Sequence, residues 1–71
     1  MLRFEWTAAD HYSAYEAARD EAEEALAHWW TAPAAKRREA FAVYRAAAER
    51  EYAAAVAWLE ACRDYDEAVA A

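Results

Sequence analysis

Apolar and polar positions repeat with a helical period from residue 8 onward. On a wheel of about 100° per residue, Ala8, Tyr12, Tyr15, Ala22, Leu26, Trp29 and Trp30 fall within an arc of about 120°. Asp10, Ser13, Asp20, Glu21, Glu24 and His28 fall on the far side. That separation predicts one amphipathic helix over 8–31. Thr7 suits its N-cap, and Asp10, three residues on, suits the first turn, where a carboxylate meets free N–H groups. Arg19 falls inside the apolar arc and is expected to run its stem along that face toward an acid, with Glu49 the candidate partner.

Thr31-Ala32-Pro33 is the one credible break. Pro33 fits the first turn of a new helix, with Thr31 or Ala32 as its cap. Nothing after Pro33 stops a helix, so 33–70 is expected to be one helix, roughly 55 Å long against roughly 35 Å for the first. Its wheel has two apolar regions. Phe41, Tyr44, Ala48, Tyr52 and Val56 form a bulky stripe that Leu59 continues. Toward the C-terminus the apolar arc swings to Trp58, Cys62, Tyr65 and Val69, and a flat face of small residues runs through Ala40, Val43, Ala47 and Ala54 to Trp58. One neighbouring helix cannot cover both regions.

The short connection requires antiparallel packing. With unequal lengths, the first helix is expected to end beside Val56, leaving about 14 residues of the second uncovered, roughly 20 Å. The segment 1–6 alternates Leu2, Phe4 and Trp6 with Arg3 and Glu5, and is expected to be an extended arm lying along that overhang, against Leu59, Cys62, Tyr65 or Asp66. The expected architecture is therefore all-α. It is a single hairpin domain over 1–71 with a short first helix, a long second helix and an extended N-terminal segment.

Composition sharpens this picture. Of 71 residues, 24 are alanine, which reconciles 61% hydrophobic content with a mean hydropathy of −0.39. Alanine forms helix readily and buries little. So short a chain needs a staple, a partner or very good packing. An internal disulfide is excluded, because Cys62 is the only cysteine. A lone thiol fits a reducing, cytoplasmic setting. The absence of Asn, Gln and Ile, with seven Arg to one Lys, fits a GC-rich bacterial or phage source. No signal segment or membrane span is legible, and no membrane partner is expected.

Net charge is −6, which argues against a nucleic-acid ligand. It is distributed unevenly. Residues 34–50 carry five bases and two acids, whereas 51–71 carry five acids and one base. Lys36, Arg37 and Arg38 sit where the helix dipole disfavours cations, and Asp64, Asp66 and Glu67 where it disfavours anions. Glu21, Glu23 and Glu24 could offset the basic cluster within one hairpin. Two antiparallel copies of the second helix would offset both ends, which with the flat alanine face predicts a homodimeric four-helix bundle.

Candidate chemistry is thin. Glu24 and His28 share a face with Glu21, and carboxylate with imidazole can hold a transition metal. Inward-facing metal bundles use Glu-x-x-His, whereas here the spacing is Glu-x-x-x-His on the polar face, so no metal or other cofactor is expected. His11 sits nearer the apolar edge, as a packed histidine would. Cys62 has no His or Lys within a turn to activate it, and helix faces separate any Ser/His/Asp set. No enzyme activity is expected. The hairpin with tryptophan at its turn is similar in topology to small WXG-type secreted proteins. It lacks their turn glycine, having Trp29-Trp30-Thr31, and Tyr65 is followed four residues later by Val69 rather than an acid, so the likeness ends at topology.

The leading expectation is a non-enzymatic protein–protein interaction module that self-associates. Its partner-facing residues are expected to be Trp30, Trp58, Tyr65, Val43, Ala47 and Ala54, because Trp and Tyr dominate interface hot spots and alanine allows close helix approach. The alternative is an acidic inhibitor occupying the basic nucleic-acid-binding groove of a target, as a DNA mimic.

Overall fold

The computed structural model describes residues 6–70. Helix α1 spans Ala8–Thr31 and helix α2 spans Arg37–Ala70, preceded by a 3-10 turn at Ala34–Lys36. The two helices pack side by side as an antiparallel hairpin, so the described chain is all-α. The arm expected over 1–6 lies outside the described residues except for Trp6.

α1 starts where its capping chemistry directs. Thr7 has extended backbone, and its Oγ1 accepts from the Asp10 N–H at 3.2 Å. The Asp10 carboxylate in turn accepts from the Thr7 N–H at 2.9 Å and from its hydroxyl at 3.0 Å. Two otherwise orphaned donors are thus satisfied reciprocally.

The turn is built differently from the expectation, and α2 begins at Arg37 rather than at Pro33. Pro33 has extended backbone, φ −62° and ψ 155°, and stands at the cap position rather than inside the first turn. Thr31 does not cap the second helix. Its hydroxyl donates back to the carbonyls of Ala27 and His28, at 3.1 and 3.3 Å, closing the end of α1. The short 3-10 turn then tightens the entry to α2, as such turns often do at helix termini.

The seam between the helices is built from small side chains. Among the described residues, Ala22, Ala32, Ala40 and Ala47 are the buried apolar ones, and no large side chain is fully buried. Alanine lets the helix axes approach closely, so the aromatic rings are displaced to the flanks. The structure thereby turns the flat alanine face of α2 toward α1 and leaves Phe41, Tyr52 and Leu59 of the bulky stripe exposed.

Register overturns the expected overhang. Trp29 meets Phe41 and Tyr44, and Tyr12 and Tyr15 meet Trp58. Pairing across the seam therefore begins near Ala40 rather than at Pro33, and α1 reaches further along α2 than Val56. Its first turn lines one pocket with Ala57, Glu60, Ala61 and Asp64. Among the described residues, only Asp66 to Ala70 project beyond it, roughly 8 Å.

The hairpin is one helix thick. Its extents are 56 × 28 × 13 Å, and its radius of gyration is 16.5 Å. A compact domain of this length has a radius of gyration of about 11 Å. Its accessible surface is 5975 Å², against roughly 4,500 Å² for a compact monomer of this mass. Both broad sides of the layer face solvent.

Candidate functional site

The two broad sides differ in chemistry because the wheel of each helix is asymmetric about the alanine seam. One side carries seven aromatic side chains in two clusters. Near the turn, Trp29 stacks on Tyr44 (centroids 5.8 Å, planes 8° apart) and tilts against Phe41 at 5.0 Å and Trp30 at 6.0 Å. Near the open end, Trp58 stacks on Tyr15 at 5.8 Å and tilts against Tyr12 at 4.9 Å. The Arg19 guanidinium lies 5.9 Å from the Tyr15 ring centroid, within cation–π range.

The expected Arg19–Glu49 pair does not form. Arg19 pairs with its neighbour Asp20 at 3.7 Å, while Glu49 pairs with Arg45 at 3.6 Å along its own helix. Loss of water around the Arg19 guanidinium pulls its pKa down. The charges of Asp20, Glu23, Tyr15 and Glu16 outweigh that and leave it raised overall. The described ion pair linking the two helices is Arg50–Glu21 at 3.8 Å. Glu21 thus answers Arg50 rather than the basic cluster at 36–38, within which Lys36 pairs with Glu39 at 3.9 Å.

The opposite side is a groove of about 370 Å³ in which Glu21, Glu24, His28 and Arg50 surround the apolar Ala25, Val43 and Ala47. It continues toward the turn past His28 and Val43 to Lys36 and Glu39. Its lining holds no hydroxyl or thiol that His28 could activate. Among the described residues, no group of three or more His, Cys, Asp and Glu is placed to hold a metal ion. A third hollow at the open end is bounded by Trp6, His11 and Tyr65, with the Trp6 and His11 rings 5.2 Å apart.

The residues singled out as partner-facing separate into three groups. Trp30, Tyr65 and Val43 are exposed, Trp30 at 73%. Trp58 is half-buried between Tyr12 and Tyr15, and Ala54 is half-buried beside the seam. Ala47 is 2% exposed and lies against α1, because the closest approach of two helices selects the smallest side chains. These six do not form one patch, since Val43 opens onto the groove while Trp30 lies with the aromatic rings.

Three exposed residues of the bulky α2 stripe were not singled out: Phe41, Tyr52 (74% exposed) and Leu59. The signal was present in the wheel as the bulky stripe. A stripe of large apolar side chains ordinarily marks the buried face, and only the alanine seam reverses that here.

Among the described residues, no helix is long and apolar enough to cross a membrane. In comparison with known proteins, no family model, curated protein or solved structure matches the chain.

Proposed function

We propose that this chain is a non-enzymatic helical interaction module that self-associates and docks a protein partner, in a reducing, cytoplasmic setting that suits its free thiol. One observation carries the reading. Among the described residues the buried apolar ones are four alanines, while Trp30, Phe41, Tyr52 and Leu59 are exposed. Large apolar patches are uncommon on monomers and mark interaction surfaces.

Sedimentation equilibrium on the order of tens of micromolar tests self-association, because dimer stability is set by protomer concentration. A dimer is expected, and a monomer at that concentration removes this part of the reading. Capture from a host extract, compared between the native chain and Trp30→Ala, tests partner docking. Salt-insensitive capture of one defined protein, lost in Trp30→Ala, is the expected result. Capture of a basic protein that disappears as salt rises, with Trp30→Ala indifferent, favours the acidic inhibitor instead. Against that alternative, bases are interleaved with the acids in Lys36–Glu39, Arg45–Glu49 and Arg50–Glu21.

A further inference from the structure

We infer that a second copy of this chain docks on the exposed stripe of α2, with the two α2 helices antiparallel and Tyr52 and Leu59 set against Ala55 and Ala48 of the other copy. This rests on the self-association proposed above and specifies its face and its direction.

The face follows from exposure and spacing. At about 100° per residue, Phe41, Tyr52 and Leu59 lie within about 20° of one line along α2, with Ala48, Ala55 and Cys62 on its seam-ward edge. Ala48, Tyr52, Ala55, Leu59 and Cys62 alternate steps of four and three, the spacing of a seam between two helices. Ala40, Ala47 and Trp58, which meet α1, lie about 100° around the helix from this line. A quarter-turn between two packing directions is what each helix of a four-helix bundle needs. The opposite side of the hairpin is a poor rival, since Glu21, Glu24, His28 and Arg50 would be stripped of water there.

The direction follows from size and charge. A dyad between Ala53 and Ala54 aligns the antiparallel seam so that Tyr52 and Leu59 each meet an alanine, as close packing favours. The same arrangement lays the first part of one α2, residues 37–50 with four bases and two acids, beside the last part of the other, residues 51–70 with five acids and one base. No base occupies the last turn of α2, so Asp66 and Glu67 stand at an unfavourable helix end, and the other copy would bring Arg37 and Arg38 within about one turn of them. A parallel pair would set like charge beside like. The hairpin exposes roughly 1,500 Å² more than a compact monomer of its mass, spread over both broad sides, against about 800 Å² per partner in a standard interface.

Disulfide mapping of the R45C variant tests this. Position 45 of one copy falls level with Cys62 of the other, whereas within one chain the two are about 25 Å apart along α2. Chains oxidised at dimer-forming concentration should become covalent dimers in which position 45 is joined to Cys62, in more than half of the molecules. A dimer that links only Cys62 to Cys62 is parallel and overturns the inference while leaving self-association intact. A sedimenting dimer with no bridge has its seam elsewhere and also overturns it. A monomer overturns both. In the otherwise native chain, Leu59→Glu should weaken dimerisation more than tenfold and Val43→Glu less than twofold, with helicity retained by circular dichroism. Equal weakening by the two variants contradicts the assigned face.

Discussion

The ring of Trp29 from α1 lies stacked on the ring of Tyr44 from α2, 5.8 Å away and within 8° of parallel. This contact sits beside the turn and holds the two helices in the register that carries α1 as far as Asp64. Trp29→Ala should therefore destabilise the hairpin by about 2–3 kcal/mol, somewhat below the range for a fully buried tryptophan because Trp29 is half-buried. Trp30→Ala, one residue on but 73% exposed, should cost less than about 1 kcal/mol. Urea unfolding of the two variants, followed by circular dichroism, checks the contrast.

The alanine seam should resist enlargement more than the aromatic flank resists truncation at its exposed positions. Ala47 is 2% exposed between the helices, so Ala47→Leu must push them apart or adopt a strained rotamer. A loss of about 1–3 kcal/mol is expected. Ala46→Leu, one residue away on the exposed surface, should be nearly neutral in the same unfolding measurement.

Thr7→Ala removes the acceptor for the Asp10 N–H. It should cost about 1 kcal/mol, the usual worth of an N-cap. The loss should be local, so hydrogen exchange at the first-turn amides should rise before exchange at the seam does.

The carboxyl of Asp10 is held below its ordinary pKa of 3.8, first by the Thr7 backbone N–H and then by the Thr7 hydroxyl. A depressed carboxyl binds its proton less readily folded than unfolded. Its contribution is therefore complete above about pH 4 and disappears as pH falls through its folded value. The start of α1 should fray in acid below 3.8. Asp10→Asn should lose that portion of the pH dependence, which an amide-resolved titration would read directly.

Arg50 and Glu21 bridge the helices at 3.8 Å, with both side chains more than half exposed. Solvent screens such a pair, so a double-mutant cycle should give a coupling below about 1 kcal/mol. In 1 M salt, where the screening length is about 3 Å, the coupling should fall to near zero. A coupling that survives salt would mean the pair is shielded from water.

Much of the local structure was legible in the amino-acid sequence, because it depends on neighbours along the chain. The 3.6-residue period marked both helices. Thr7 and Asp10 marked the first start by their spacing, and Pro33 marked the only break. Which apolar face of α2 meets α1 was decided by tertiary packing alone. Ala40 and Ala47 face inward because two helix axes approach most closely over small side chains, and this displaces Phe41, Tyr52 and Leu59 to the surface. Register was a tertiary outcome too. The path through Ala32, Pro33 and the 3-10 turn consumes residues that a wheel counts as paired, and only the ring contacts of Trp29 and Trp58 show where pairing begins. A periodic pattern shows that a face is apolar. Which neighbour that face meets depends on how near the two backbones can come.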